Sequence, residues 1–406
     1  MNILFFTHHL NQGGAEKTVR SLSEYFNTHD FNIKSFICVV YDDPHLKPYP
    51  QNVIVMKNQS NEWDNRVSKG FNVLAQIHEM RQIKKKLNID ICISFLPGAD
   101  IINVLSGEGE KQIVSVRNIE SLFVHSILKK WYVEVAYRRC NLLIACSETV
   151  RRDCINYFRV PNKKIITIHN AATPLCVLGH VIPEFQKFYE AHHIVLNVGR
   201  LAPEKGQIHL LKAFAAFLKR YDNTNDHRSP GLVFIGDGDL SDKLREIATK
   251  LGIYEHVLFC GRQPNPADYM KSSDLFVLSS NMEGMPNVLV EALQSGLPCI
   301  ATECGAREIL APNTDPIKDR TSNIETAEYG ILVPICGNES TYEKASERPL
   351  TLSNNEQLLS DAIEMLYCDN KLREQYRDGA PTAVLNLSID YICDLWIKAM
   401  KNVMRG

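Results

Sequence analysis

The sequence predicts an α/β protein built on two doubly wound parallel sheets, and three observations carry that expectation. Short, near-continuous apolar runs alternate with amphipathic stretches through most of the 406 residues, as in sheets whose strands are buried on both faces between helices. The alternation lapses once, between Ala171 and His192, and then restarts. Both halves open alike, with an apolar strand, a glycine-containing loop and a helix.

In the first half, strands are expected at "NILFFT", "IKSFICVV", "IDICISF", "QIVSV" and "NLLIACS", with helices such as "AEKTVRSLSEYF" and "FNVLAQIHEMRQIKKKL" between them. The second half opens with the strand "HIVLNV", the loop "GRLAPEKG" and the helix "QIHLLKAFAAFLKR". The expected organisation is a first domain over 1–172 and a linker over 173–192, where prolines and weak periodicity fit no regular element. A second domain covers 193–385, and a C-terminal helix over 386–406 crosses back to the first domain. Both domains read as Rossmann-like, facing each other across a cleft that receives the carboxyl ends of their strands, where ligands of such sheets bind. The polar runs Asn313 to Gly330 and Gly337 to Glu356 read as solvated surface insertions.

Composition narrows the class. With 45% hydrophobic and 23% charged residues the chain has material for real cores and no bias towards disorder. A net charge of −2 removes any whole-chain electrostatic reason to bind nucleic acid. Twelve cysteines are scattered without a C-x-x-C pair, several inside apolar runs such as "FICVV" and "GLPCIA". They read as buried free thiols in a reducing compartment, not as a disulfide framework. The start "MNILFF" lacks a basic region and turns polar at "THHLNQ", which suits a first strand better than a signal peptide. No apolar run approaches the ~18 residues needed to span a bilayer, so a protein that is soluble or bound only to a membrane surface is expected. With the free thiols, the expected location is cytoplasmic, peripheral at most to the cytoplasmic membrane face.

The chemistry concentrates in "SSNMEGMPNVLVEALQSGLPCIATECGAREI", Ser279 to Ile309. Pro286 suits a first helical position, where its missing N–H costs nothing. The N–H groups of Asn287, Val288 and Leu289 would then face outward at the positive end of a helix dipole, an anion site. Arg200 and Lys205 in "GRLAPEKG" sit between a strand and a helix, and could grip a phosphate as a fork and a point charge. Gly13-Gly14 would let a ligand approach the backbone at the first helix. These elements together suit a diphosphate held without a metal. No D-x-D motif or histidine cluster suggests a cation, and the adjacent His8 and His9 point apart on a strand end. Glu291, one turn into its helix, suits ribose hydroxyls, and Glu283, on a glycine turn before it, suits a sugar attached to the diphosphate.

At this point the chain resembles a retaining glycosyltransferase of the GT-B architecture, in the large E-x7-E family (family 4-like, group 1). The resemblance rests on "GGAEK", "VGRLAPEKG", "FIGDGDL", "EGMPNVLVEALQSGLPCIATECGAREI" and "YGILVP", in that order. It implies that Arg200 and Lys205 hold the donor diphosphate, Glu291 the ribose, and Glu283 the donor sugar. Gly14 and Gly236 would line the nucleotide site, and Arg117, Asn118 and Ser147 would face acceptor or donor sugar. The similarity is greatest to bacterial enzymes that extend lipid-linked oligosaccharides or O-antigen units. Transfer of a hexose or N-acetylhexosamine from a UDP-sugar to a polyprenyl-diphosphate-linked surface glycan, with retention and without cofactor or metal, is what it implies. Met285 stands where the family often has an aromatic residue, and Ala306 where it often has glycine. The alternatives are a sugar-nucleotide epimerase or glycan phosphorylase of the same architecture, or a silent nucleotide-sugar-binding protein.

A lipid-linked acceptor would require contact with the cytoplasmic membrane face. "RQIKKKL" at 81–87, within the stretch 80–87, and "HSILKKWYVEVAYRRC" at 125–140 mix basic, apolar and aromatic residues as an interfacial segment does. The competing reading makes these charges the solvated face of core helices.

Overall fold

The structure, a computed structural model, describes residues 1–10, 13–29, 31–42, 49–59, 66–124, 126–221, 227–337 and 351–405, with backbone alone at 66–71. Two compact units emerge: Met1–Ala171 together with Leu387–Gly406, and Ala172–Asn386. The second unit is thus inserted in the chain of the first.

The first sheet contains β1 (Asn2–Thr7), β2 (Lys34–Val39), β3 (Val53–Val55), β4 (Ile91–Phe95), β5 (Lys111–Val116), β6 (Leu142–Ala145) and β7 (Ile165–Thr167). They lie in the order β3-β2-β1-β4-β5-β6-β7, all parallel. Five helices run between these strands, after every strand from β1 to β6 except β2: α1 (Gly14–Thr28), α2 (Arg66–Lys86), α3 (Pro97–Leu105), α4 (Ile127–Arg139) and α5 (Glu148–Asn156). Because side chains alternate along a strand, β1 feeds two cores. Ile3 and Phe5 pack in one core with Val19, Leu22 and Phe26 of α1, whereas Leu4 and Phe6 pack in another with Met80 of α2 and Ile102 of α3.

In the second unit, α6 (Pro183–Ala191) precedes β8 (His192–Val198), α7 (Gln207–Arg220), β9 (Ser229–Ile235), α8 (Ser241–Lys250), β10 (Val257–Phe259), α9 (Pro266–Lys271), β11 (Leu275–Leu278), α10 (Asn287–Gln294), β12 (Cys299–Thr302), α11 (Arg307–Leu310), β13 (Glu325–Thr326) and β14 (Ile331–Val333). α12 (Asn354–Cys368) and α13 (Asn370–Ala383) follow, and α14 (Ile389–Arg405) returns to the first unit. Strand order is β10-β9-β8-β11-β12-β14-β13, parallel except for the antiparallel edge pair β13–β14. Both units are therefore the expected doubly wound parallel sheets. α14 adds Ile392, Trp396 and Met400, all at most 1% exposed, to the core that holds Phe5 and Phe95.

Several details differ from the sequence reading. The stretch 173–192, expected to be irregular, contains α6, started by Pro183 at its first turn and seated on the unit through the buried Phe185. β3 and β7 are three-residue edge strands, too short to show a period. The insertion at 313–330 is tethered rather than free. Glu325 pairs with the buried Arg307, Arg307 also holds Glu303, and the Thr321 N–H donates to Glu303 Oε1 at 3.1 Å. Of the run 337–356, residues 338–350 lie outside the described residues, and its end is structural. Ser353 and Glu356 form a capping box at the start of α12. Lys84 of "RQIKKKL" is interior. Its Nζ meets Asn103 O at 2.7 Å, Asn103 Oδ1 at 2.9 Å and Glu110 Oε1 at 2.7 Å.

Glu356 also locks α12 to α7, with His209 Nδ1 and Lys212 Nζ each 2.7 Å from Oε1. Burial alone would raise its pKa, yet the bonds from His209, Lys212 and the Ser353 N–H outweigh burial and hold it at about 2. A carboxyl group depressed in the fold contributes stability that is present above its unfolded value and lost as pH falls through the folded one. The melting temperature should therefore fall more between pH 4.5 and 2 in the wild type than in Glu356→Gln, and parallel curves would exclude this role.

Candidate active site

Strand order reverses between β8 and β11 in the second sheet. There the loops after two neighbouring strands leave in opposite directions and open a crevice at their carboxyl ends. The β8 loop carries Arg200 and Lys205, and the β11 loop carries Glu283. Lys205 Nζ donates to Glu283 Oε1 at 2.6 Å, with the side chains 26% and 14% exposed. Ser280 Oγ donates to the same carboxylate oxygen at 2.9 Å. Burial works against the Lys205 charge, but Glu283 more than offsets it, and the ammonium pKa rises.

The two loops are laced together by backbone. Asn281 N–H donates to Glu204 O at 2.8 Å, and Ser279 Oγ to Lys205 O at 3.0 Å. Gly206 follows with φ +63°, and a Cβ there would stand 2.1 Å from the Ser279 carbonyl oxygen. Only glycine combines that left-handed conformation with that contact. Gly236, φ +139°, plays the same part for the β9 loop, since its Cβ would lie 1.9 Å from Gly199 O. Its position is structural, pressed against the β8 loop at the rim of the crevice.

The expected Arg200–Lys205 clamp is not assembled. Arg200 is 69% exposed and pairs with Glu204 on its own loop, while Gln207 Nε2 holds its carbonyl at 2.9 Å. At α10, Pro286 is the N-cap and not the first helical residue. Leu289 N–H donates to the Pro286 carbonyl at 3.1 Å, so it is not a free donor. Asn287 and Val288, both half-buried, remain at the helix start, and Glu291 lies half-buried one turn in. Met285 is buried at 6% exposure beneath the Glu283 turn.

In the first unit, Gly14 is exposed at the start of α1. The space beside Gly13 is taken by the carboxylate of Glu16, which a Cβ would meet at 2.2 Å. Ser147 is fully buried, and its hydroxyl caps α5 by accepting from Val150 N–H at 3.2 Å, a structural task. Arg117 is buried at the end of β5, and Asn118 beside it is half-buried. Sequence reasoning missed Ser280 and Glu204, the side chains that partner Glu283 and Arg200. The available signal for Ser280 was the "SSN" that follows the apolar run "LFVL", and for Glu204 its place four residues after Arg200 in "GRLAPEKG".

Two family models cover most of the chain: Glycosyltransferase Family 4 over residues 12–173, and Glycosyl transferases group 1 over 181–331. Two Campylobacter jejuni enzymes are each 24% identical. One is an N-acetylgalactosaminyltransferase acting on N-acetylgalactosamine-N,N'-diacetylbacillosaminyl-diphospho-undecaprenol, with 93% of both chains matched. The other is an alpha-1,4-N-acetyl-D-galactosaminyltransferase acting on GalNAc-alpha-(1->4)-GalNAc-alpha-(1->3)-diNAcBac-PP-undecaprenol, with 99% of both matched. An uncharacterized glycosyltransferase of Methanocaldococcus jannaschii is 33% identical, over 55% of this chain and about half (52%) of that one. Among solved structures, Anabaena HepE in complex with UDP superposes with a TM-score of 0.73 at 18% identity, covering 99% of this chain and 100% of that one.

Two doubly wound parallel-sheet units, together with the superposition on HepE, define the GT-B fold. The chain belongs to the group 1, family 4-like glycosyltransferases.

Two outcomes follow from this geometry. Lys205→Ala should cut kcat about 100-fold or more in a transfer assay, the usual effect of removing one charge-stabilising donor, and near-normal turnover would remove Lys205 from the chemistry. Gly206→Ala should lower unfolding stability by about 2 kcal/mol or more, because strain at positive φ adds to the carbonyl clash, as a urea titration would show.

Proposed function

We propose that this glycosyltransferase moves a hexose or N-acetylhexosamine from a UDP-sugar to a growing polyprenyl-diphosphate-linked surface glycan, with retention of anomeric configuration. The observation that carries the reading is the Lys205–Glu283 pair at the strand-order reversal. A partly buried ammonium needs a counter-charge, and Glu283 supplies it. When the donor binds, its diphosphate takes over Lys205 and frees Glu283 to orient sugar hydroxyls. Arg200, exposed and paired with Glu204, adds a second cation. The start of α10 at Asn287 and Val288 faces the phosphates, and Glu291 accepts from the ribose hydroxyls.

The reaction then breaks the bond between the anomeric carbon and the diphosphate oxygen. Lys205 and Arg200 stabilise the charge leaving on the nucleoside diphosphate. The acceptor oxygen forms its bond on the same face, and its proton passes to the departing phosphate. No cofactor enters this scheme. The two Campylobacter relatives support a diphospho-undecaprenol-linked acceptor, and the HepE complex supports UDP. An epimerase or a phosphorylase would need no such acceptor.

The acceptor also gives α4 a role. No helix among the described residues is long and apolar enough to cross a membrane, yet Leu122, Phe123, Ile127, Leu128 and Trp131 are all exposed around the start of α4. With the exposed Arg138 and Arg139 they suit peripheral contact with an anionic membrane face. His125, at the head of that segment, lies outside the described residues. Lys84, being interior, contributes nothing from 80–87.

A thermal-shift screen against UDP, GDP and ADP, followed by transfer to a polyprenyl-diphosphate glycan and NMR of the new linkage, tests the reading. UDP should raise the melting temperature, Glu291→Ala should weaken UDP about tenfold, and the product should keep the donor's anomeric configuration in the presence of excess chelator. Absence of any nucleotide response, or an inverted product, would overturn it.

A further inference from the structure

The carboxyl edge of the first sheet gathers buried polar side-chain atoms that meet no protein partner. Arg117 leaves β5 there, 8% exposed, with its guanidinium carbon 5.0 Å from the Phe95 ring and 5.8 Å from the Trp396 ring. Aromatic contacts satisfy the faces of a guanidinium, while its N–H donors must be met in its plane. One edge is met, because Nη1 donates to Asn170 Oδ1 at 2.6 Å. The other edge, Nε and Nη2, is buried without a partner. That edge is the fork that takes two oxygens of a phosphate or carboxylate side by side.

Arg117 has neighbours in the same condition. Thr7 Oγ1, Ser115 Oγ and Trp396 Nε1 are also buried and unpartnered. By strand alternation, Thr7 shares a face with Ile3 and Phe5, and Ser115 and Arg117 share one with Ile113. All of these belong to the side whose core contains Trp396. Burial lowers the Arg117 pKa to about 10, and the one opposing influence is the Cys146 thiol, not a carboxylate. Elsewhere the buried cations Lys84, Lys212 and Arg307 each meet an acid.

We propose that Arg117 is the receptor for an oxyanion that a substrate presents to this edge of the first unit. The proposal rests on reading that unit as the acceptor side. It names the chemistry of what is held: a phosphate of the acceptor's diphosphate, or a carboxylate on a transferred sugar. Ser115 and Thr7 hydroxyls and the Trp396 indole N–H supply the remaining donors.

Inorganic pyrophosphate is the probe, titrated calorimetrically into the full chain carrying Lys205→Ala, which removes the ammonium of the donor crevice. Saturable binding should remain and should weaken about tenfold or more when Arg117→Lys is added, since lysine keeps the charge but not the fork. Arg117→Met serves as the second variant, because exchanging an uncompensated buried charge for an apolar chain of similar length is compatible with folding. It should abolish the residual binding. In the otherwise wild-type enzyme, Arg117→Lys should raise the KM of the diphosphate-linked acceptor if the phosphate is the ligand, or that of a carboxylate-bearing donor if the sugar is. Pyrophosphate binding that vanishes with Lys205→Ala alone, or that ignores both Arg117 variants, would mean these buried atoms meet only enclosed water. The UDP response of the wild-type protein reports separately on the donor reading.

Discussion

Lys205 and Glu283 lie 78 residues apart and meet because β8 and β11 are neighbours where the strand order turns back on itself. Every other feature of the crevice is arranged around that meeting. Gly206 exists in a left-handed turn because the Ser279 carbonyl passes where a side chain would stand. The Asn281–Glu204 backbone bond then fixes the spacing of the two loops. A charge pair without such a frame would wander with its side chains and contribute little. Here the frame is backbone, so the ammonium and the carboxylate are positioned before any ligand arrives.

Much of this was legible in the sequence, for identifiable reasons. Apolar runs such as "NILFFT" and "HIVLNV" are strands buried on both faces, and their shortness and the glycine-bearing loops that follow them set them apart from buried helices. The Gly-bounded loop "GRLAPEKG" and the turn "MEGMP" announce themselves through residues with unusual backbone needs. What stayed hidden depends on partners distant in sequence. Arg200 looked like a companion to Lys205, but only the fold shows that Glu204 reaches it first. Ser147 was expected to face a sugar, and only the fold shows that its hydroxyl caps α5, because the serine that starts a helix is hard to tell from one that greets a substrate. α6 lay unseen in a proline-bearing stretch, since one nine-residue helix with a single buried aromatic leaves almost no period to read.

Buried charge divides the molecule in an informative way. The Lys84–Glu110, Lys212–Glu356 and Arg307–Glu303 pairs each join elements that are separate in the chain or loops that would otherwise be loose. Each acid also accepts from a backbone N–H, that of Glu108 on Glu110, of Ser353 on Glu356 and of Thr321 on Glu303, further support that an interior ion pair needs. Such groups specify where elements sit. Arg117 stands apart because aromatic rings replace the acid, so the surrounding fold leaves half its hydrogen-bonding edge uncommitted.

The route of the chain has a consequence for how the protein is made. The face of the first sheet that carries Phe5 and Phe95 is completed by α14, which is synthesised only after the entire second unit. A ribosome that has finished the first seven strands therefore holds a sheet with a large apolar surface lacking Trp396 and Met400. Folding of the first unit is vectorially incomplete until the chain returns. A chain stopped near Leu387 would leave that apolar face uncovered, a larger loss than that of one peripheral helix.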